Sequence, residues 1–283
     1  MKILLSTVSS PLTAILLFLL THCAAPSQRP ASDVKFIVIG NTSPASPFVG
    51  YAERLPAVLR DINHEHPVLV IHTGNIIHGG HEWMGITRKD VTRQFRNLIK
   101  QKKIFTSAIH ILAGAGDQFN GSLELFEQYT GEKLFYSFNY GDSHFVLLHI
   151  IDEGRKMSPE QTRWLREDLE IHKNSSAIFI FSHHPVISYP QNGTRYSGGE
   201  ELHKLFIRYP VKAVISGDAN NFYEYAKDNI RYIMAGCYGF NNRDWHWGFY
   251  QYYIGHYDGN RFTIKGVRVN FPAHEQAKIP AEE

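Results

Sequence analysis

The sequence has little cysteine and no strong bias toward charge of one sign. Cys23 and Cys237 are the only cysteines among 283 residues, so a disulfide framework is excluded. Lysine and arginine total 29, which nearly balances 27 aspartates and glutamates. The local cluster of Lys100, Lys102 and Lys103 is typical of a solvated helix end. We therefore expect no nucleic-acid partner.

The sequence also lacks the long hydrophobic run of a transmembrane helix. The N-terminal apolar stretch, Leu12–Leu20, is shorter than the roughly 20 residues that span a bilayer. Its position predicts that residues 1–23 are an export signal. A cysteine directly after such a stretch resembles the lipobox of bacterial lipoproteins, which would make Cys23 an acylated N-terminus. His22 departs from that pattern and leaves cleavage after Ala25, or an uncleaved anchor, as alternatives.

These features predict an exported protein that is lipid-anchored in a bacterial cell envelope, with a periplasmic or secreted protein as the alternative. Residues 24–33 are predicted to be a flexible tether, because they are rich in alanine, proline and polar residues. Residues 34–271 are interpreted as one domain, and residues 272–283 as a polar C-terminal tail. Cys237 follows an apolar run, which is typical of a buried structural thiol.

Within the domain, short apolar runs typical of buried strands alternate with amphipathic helical patterns. Hairpins are indicated in the middle and at the end of the domain, where turn residues separate two extended runs. The pattern predicts an α/β fold in which two sheets pack face to face with helices outside. The predicted strands are 34–39, 68–72, 108–112, 136–140, 145–150, 177–182, 211–216, 223–227, 230–235, 249–257 and 261–269. The predicted helices are 53–64, 90–101, 123–129, 158–172 and 199–208. Ser158 is the predicted N-cap of the fourth helix, and Gln161 stands at the capping-box position.

Five predicted strands end in polar loops. The loops begin at Gly40-Asn41, Gly74-Asn75, Gly114-Ala115, Ser182-His183 and Gly217-Asp218. Active sites of α/β proteins commonly lie in loops that gather at one end of a sheet. We therefore expect these loops to form a functional site.

In order and spacing, the five loops resemble the motifs of the calcineurin-like metallophosphoesterases. Those motifs are D-x-H, G-D-x-x-D/H, G-N-H-D, H-H-P and G-H-x-H. The resemblance extends from about Lys35 to Val269 and implies a four-layer α-β-β-α sandwich. It also implies phosphoester hydrolysis by two divalent metals that an aspartate and a hydroxide bridge.

Carried over residue by residue, the resemblance implies that most of the metal ligands are absent. His183 keeps the identity of a ligand, and Asp117 keeps a supporting role. Gly116 occupies the position of the family's catalytic histidine. The other ligand positions hold Asn41, Ser43, Asn75, Ala115, Asp218 and Asn220.

This ligand set predicts no tightly bound cofactor, and at most a single weakly held divalent metal at His183 and Asp218. Neutral amides cannot supply the negative charge that holds two dications close together. The sequence therefore favours a pseudoenzyme that binds a small anion or a protein partner. A hydrolase with a rearranged or mononuclear site, and an inert envelope protein, are the alternatives. His184, Trp245 and Trp247 are candidates for ligand contact.

Overall fold

The computed structural model describes residues 33–51, 55–151, 157–186, 199–218, 222–236 and 249–270. The predicted export signal, residues 24–32 of the tether, the C-terminal tail, Cys23 and Cys237 lie outside the described residues. Asp33, predicted as the end of the tether, is the first residue of β1. None of the helices in the described ranges is both long and apolar enough to cross a bilayer.

The bounds of the strands and helices differ from those predicted by no more than two residues. The strands are β1 (Asp33–Ile39), β2 (Leu69–His72), β3 (Ala108–Ile111), β4 (Tyr136–Tyr140), β5 (Ser143–Leu148), β6 (Ala177–Ser182), β7 (Val211–Ser216), β8 (Tyr223–Lys227), β9 (Ile230–Met234), β10 (Phe249–Asp258) and β11 (Phe262–Asn270). The helices are α1 (Leu55–His64), α2 (Arg88–Lys102), α3 (Glu124–Thr130), α4 (Pro159–Ile171) and α5 (Gly199–Phe206).

The strands form two mixed sheets, which confirms the predicted α/β sandwich. The first sheet has the order β11-β10-β1-β2-β3, and the second has the order β4-β5-β6-β7-β9-β8. In the first sheet β1, β2 and β3 are parallel. In the second sheet β5, β6, β7 and β9 are parallel. The carboxyl ends of these parallel strands carry the five polar loops.

An aromatic core holds the two sheets together. The ring of Phe36 on β1 lies 5.6 Å from Phe145 and 5.3 Å from Phe179 of the second sheet. Along β5, Phe145 belongs to this inner core, whereas its neighbour Val146 packs with Leu165 of α4. This alternation shows that β5 is buried on both faces, and β6 is buried along its whole length in the same way, with α4 and α5 packed outside.

The start of α4 shows one difference from the sequence-based expectation. Ser158 caps the helix as predicted, because its side chain accepts a hydrogen bond from the backbone NH of Gln161 at 3.0 Å. The prediction that the Gln161 side chain completes a capping box is wrong. Its amide instead bonds both backbone groups of His149, which follows β5, at 2.7 and 2.9 Å. The buried side-chain amide of Gln161 thereby satisfies both the backbone NH and the backbone carbonyl of His149, and its own donor and acceptor are satisfied in return.

Candidate functional site

The candidate site lies where the carboxyl ends of the two sheets meet at Thr73. The hydroxyl of Thr73 donates to the carbonyl of Ile39 at the end of β1. A Cβ atom at Gly40 would lie 2.3 Å from the Thr73 hydroxyl, and one at Gly217 would lie 2.4 Å from it. These glycines follow β1 and β7, which belong to different sheets. Only a residue without a side chain lets the two strand ends approach Thr73 so closely.

Asn41 and Asn75 are paired through their side chains. The Asn75 amide nitrogen donates to the Asn41 amide oxygen at 3.1 Å, and the Asn75 amide oxygen accepts from the NH of Gly116 at 2.7 Å. Both residues have left-handed backbones, with φ of 52° and 57°. Asparagine tolerates that conformation better than most residues. These interactions fix the shape of the two loops without any charge.

Asp117 holds the loop after β2 in place through hydrogen bonds to its backbone. It is 1% exposed, and its two oxygens accept hydrogen bonds from four backbone NH groups at 2.7–3.0 Å. The four donors belong to Asn75, Ile76, Ile77 and Gly114. Burial raises the pKa of Asp117 to about 7, while the four NH donors act in the opposite direction. Asp117 therefore fixes the geometry of the loop after β2, whereas its predicted supporting role in catalysis stays a prediction.

His183, His184 and Asp218 form a compact group at the mouth of the site. One ligand atom from each lies within 4.8 Å of the others. His184 Nδ1 lies 2.7 Å from one oxygen of Asp218, and His183 Nε2 lies 3.8 Å from the other oxygen. His183 is completely buried, and its Nδ1 contacts the carbonyl of Thr73 at 2.7 Å. The sequence predicts the roles of His183 and Asp218, but it does not pair His184 with the carboxylate.

The remaining predicted site residues are dispersed around this centre. Ser43 donates its backbone NH to the carbonyl of Asn75 at 3.0 Å. Ala115 is exposed at the start of a short 3₁₀ turn, Ala115–Asp117, which also contains Gly116. Three predicted positions, Asn220, Trp245 and Trp247, lie outside the described residues.

His72, at the end of β2, is a site residue that sequence analysis missed. It is 2% exposed; its Nδ1 accepts from the NH of Gly74 at 3.1 Å, so its Nε2 donates to the Thr42 hydroxyl at 2.9 Å. Burial, and secondarily the nearby ring of His183, lower the pKa of His72 to about 3. The sequence signal that could have indicated this role is a histidine at the end of an otherwise apolar strand, directly before Thr73-Gly74.

A second group of possible metal ligands, His144, Asp168 and His172, lies outside the site. His144 Nε2 contacts an Asp168 oxygen at 2.8 Å, and the other oxygen accepts from Ser137 at 2.7 Å. The two imidazole rings stack with centroids 3.6 Å apart and an interplanar angle of 13°. Stacked rings do not converge on one ion, so we interpret this group as a structural contact between β5 and α4.

The residues present do not fit a pair of divalent metals. Asn41 and Asn75 contribute amides that are already hydrogen-bonded to each other and to Gly116, and neither carries charge. A dinuclear site needs anionic ligands to offset the repulsion between the two cations. By contrast, His183, His184 and Asp218 offer two nitrogen donors and a carboxylate, which is a donor set for one ion.

The low pKa of His72 predicts a pH-dependent stability. In the unfolded chain, this histidine takes up a proton near pH 6.5, whereas in the fold it does so only near pH 3. The unfolded state therefore binds more protons between these values, and the free energy of unfolding falls as the pH drops, by about 1.4 kcal/mol per pH unit. We expect the loss of stability between pH 7 and pH 5 to be about 2 kcal/mol smaller in His72→Gln than in wild type.

Urea unfolding at the two pH values tests this expectation. His64→Gln, at the exposed end of α1, is the matched control and should keep the wild-type pH dependence. If His72→Gln and the control behave alike, His72 is protonated in the folded protein and the assigned burial effect is wrong.

Comparison with known proteins relates this geometry to a family and a fold. A family model described as calcineurin-like phosphoesterase matches residues 32–219. A dimetal phosphatase from the zebrafish Danio rerio has a similar structure, with a TM-score of 0.66 and 14% identity over 85% of this chain and 100% of that chain. A search of curated proteins returns no match.

Two further structures share the fold. GAP50, the anchor in the inner membrane complex of Plasmodium, has a TM-score of 0.54 and 14% identity, over 83% of this chain and 84% of its own. The purple acid phosphatase PPD1 from yellow lupin seeds has a TM-score of 0.52 and 12% identity, over 92% of this chain and 58% of its own. At these identities the similarity is one of fold alone.

Proposed function

Because the chain belongs to the calcineurin-like phosphoesterase family, we propose that it is a pseudoenzyme of that family, exported and lipid-anchored through Cys23. In this proposal the phosphoesterase scaffold binds a small anion or a protein partner and does not perform the dinuclear hydrolysis of the family. The hydrogen bond between the side chains of Asn41 and Asn75 carries the proposal. It joins two neutral groups where the family requires anionic metal ligands.

The backbone of the site supports this proposal. Asn41, Asn75 and Asp218 all have positive φ, at 52°, 57° and 66°. Asparagine and aspartate are both tolerated there, so a change between them preserves the shape of a loop. Asp117 holds the loop after β2 through four NH donors whether or not a metal binds. Loop shape can therefore outlast the loss of metal chemistry.

One structural neighbour supports a scaffold role. GAP50, which has the same fold, is the anchor in the inner membrane complex of Plasmodium. We propose a similar use of the fold here, in which surfaces and loops bind partners at a membrane. Fold similarity does not determine function, so the proposal depends on the site residues of this chain.

The group of His183, His184 and Asp218 favours a second candidate function. Three potential ligand atoms within 4.8 Å of one another could hold a single divalent metal. One metal could activate water for phosphoester hydrolysis without the bridged pair. In that case His184 would contribute a ligand that the family motif does not require.

Metal content and turnover distinguish the two functions. After loading with Zn²⁺ or Mn²⁺ and dialysis, we expect the purified protein to retain no stoichiometric metal, because amides are weak ligands for these ions. We also expect no metal-dependent hydrolysis of p-nitrophenyl phosphate or bis(p-nitrophenyl) phosphate. Elemental analysis and a chromogenic assay measure these two quantities.

The His183→Ala variant serves as the control for both measurements. One retained metal, together with turnover that His183→Ala abolishes, would replace the proposed pseudoenzyme with the mononuclear hydrolase. Two retained metals would contradict both functions. Turnover that survives in His183→Ala would indicate a contaminating phosphatase.

A further inference from the structure

Helix α2 has a strongly basic surface that the proposed binding role of the site does not explain. Between Arg88 and Lys103, basic residues outnumber acidic ones seven to one, in a chain whose total charges nearly balance. The opposite side of the helix is apolar and packs into the core through Val91, Phe95 and Leu98. The basic side therefore has no part in this apolar packing, although Arg93 donates a hydrogen bond to the carbonyl of Pro47 at 2.7 Å.

Five basic side chains line an open groove of about 560 Å³ along α2, and none of the described residues that line this groove is acidic. The nearby carboxylate of Asp90 is engaged in capping the helix, where it accepts from the backbone NH and the hydroxyl of Thr87. Positive charge thus extends along about 18 Å, the rise of the helix from Arg88 to Lys100. The five basic residues, called here the basic face, are Arg88, Lys89, Arg93, Arg96 and Lys100.

Neighbouring carboxylates neutralise only part of the basic face. Arg88 lies 3.9 Å from Glu124, and Arg93 lies 3.5 Å from Asp90. Asp90 is half-buried and the other three side chains are exposed, and pairs at such a surface contribute little attraction in water. Within the described part of the chain, no carboxylate oxygen forms an ion pair with Lys89, Arg96 or Lys100. The basic face is therefore available to an external anionic surface.

Two large exposed apolar side chains precede the basic face in the chain. Trp83 is 81% exposed and Met84 is 52% exposed, in the short 3₁₀ turn Glu82–Met84 that precedes α2. An exposed tryptophan beside basic residues is typical of a surface that contacts lipid headgroups, where the ring enters the interface. Base stacking on nucleic acid would also use an exposed tryptophan, so binding to nucleic acid is an outcome of the test below.

The basic face also lies within reach of the proposed anchor. Helix α2 runs from the carboxyl end of β2 back to the amino end of β3, which is parallel to β1. Its C-terminal end therefore lies near the edge of the sheet where β1 begins at Asp33. The short segment between Cys23 and Asp33 spans at most about 35 Å even when fully extended. An anchor at Cys23 would hold the basic face close to the membrane.

We propose that the basic face of α2, together with Trp83 and Met84, docks onto a membrane surface rich in anionic phospholipid headgroups. The docked helix lies along the membrane, with its cations at the headgroups and Trp83 in the interface. The contact fixes the orientation of the domain relative to the membrane, which a single acyl anchor cannot do. This inference goes beyond the proposed function: only its reach to the membrane rests on the proposed lipid anchor at Cys23, and it does not depend on whether the site is catalytic.

Vesicle sedimentation of the full chain tests the proposal. The probes are vesicles of phosphatidylcholine alone and vesicles that also contain phosphatidylglycerol. The test variant is Lys89→Gln/Arg96→Gln/Lys100→Gln. The control, Arg163→Gln/Arg166→Gln/Lys204→Gln, removes the same charge from the exposed sides of α4 and α5. Circular dichroism establishes that both variants fold, and mass spectrometry of the N-terminus reports separately on acylation of Cys23.

We expect the wild type and the control variant to bind more tightly when phosphatidylglycerol is present, and less tightly as salt is added. The test variant should bind the vesicles that contain phosphatidylglycerol more weakly than wild type, by a factor on the order of 100 in affinity for the three cations removed. Binding to phosphatidylcholine alone reports the anchor and should be equal in all three proteins. An equal loss in the control variant would overturn the proposal. Tighter binding to duplex DNA than to the anionic vesicles would also overturn it.

Discussion

The Asp117→Asn variant is expected to be about 3–5 kcal/mol less stable than wild type. Both oxygens of Asp117 accept from backbone NH groups, two donors to each oxygen. In either protonation state of Asp117 both oxygens can accept, whereas the amide nitrogen of asparagine cannot. One orientation of the new side-chain amide would therefore leave the NH groups of Ile76 and Ile77 facing an NH₂ group, and the other would do the same to Asn75 and Gly114.

Chemical unfolding measures this loss. The matched control is Asp258→Asn in the hairpin between β10 and β11, where an exposed Asp258 also accepts from two backbone NH groups at 2.9 and 2.7 Å. Its loss should be much smaller, because both donors bind the same oxygen, which the asparagine amide keeps, and because water can satisfy exposed donors. Equal losses in the two variants would show that the burial of Asp117 has no special role. If Asp117→Asn is isolated only in unfolded form while Asp258→Asn folds, the loss of stability in Asp117→Asn is at least as large as expected.

The predicted strands match the structure closely because buried strands leave a strong signal in sequence. The run Ala177–Ser182, with Ile178, Phe179, Ile180 and Phe181 all buried, has no other stable location than the middle of a covered sheet. Turn residues such as Asp258-Gly259-Asn260 fix the hairpins in the same way. The order of the loops then follows, because parallel strands present their carboxyl ends at one edge of a sheet.

Contacts across long sequence separations were not predictable in this way. The contact between His184 and Asp218 joins residues that are 34 positions apart, and neither loop carries a sequence pattern that indicates its partner. The buried pair of His72 and Thr42 spans 30 positions. The basic face was also missed, because a predicted start at Asp90 excludes Arg88 and Lys89 from the helix. The true start, with Thr87 as the cap, aligns Arg88, Arg96 and Lys100 along one side.

Restoring all the family's ligands together is expected to produce a variant whose folded state is stabilised by added metal. Carboxylates and imidazoles would replace most of the neutral groups at the ligand positions. A metal that binds only the folded state stabilises it by about 2.7 kcal/mol when its concentration is 100 times its dissociation constant. Wild type should show no such gain. Single reversions should have little effect, because ligands that act as a unit are not additive. The restored set is Asn41→Asp, Ser43→His, Asn75→Asp, Ala115→Asn, Asp218→His and Asn220→His, with His183 unchanged.

The intermediate Asn41→Asp/Asn75→Asp should be less stable than wild type without metal. The donor that now joins Asn75 to Asn41 at 3.1 Å would become a second carboxylate oxygen facing the first. Repulsion between the two carboxylates would raise the pKa of at least one of them. The metal-free double variant should therefore regain stability as the pH falls and one carboxylate takes up a proton.

Adding the catalytic histidine is a separate step with its own structural cost. A Cβ atom at Gly116 would lie 3.0 Å from the Asn75 amide oxygen and 3.3 Å from the carbonyl of Ile77. The loop must therefore shift by a few tenths of an ångström before Gly116→His can be accommodated. Weak phosphodiesterase activity is expected only when Gly116→His joins the full restored set, and not when it is introduced alone.

The melting temperature with and without Mn²⁺ or Zn²⁺ decides whether the loops retain the geometry of the family. A metal-dependent rise in the restored variant, absent from wild type and abolished by His183→Ala, is the expected result. The His183 control matters because this residue lies buried against Thr73, at the junction of the two sheets, and contributes a ligand to the restored site. A restored variant that folds but gains nothing from metal would show that the loops have moved away from the family's arrangement. The assignment of Asn41 and Asn75 as former ligand positions would then be wrong, although the fold would stand.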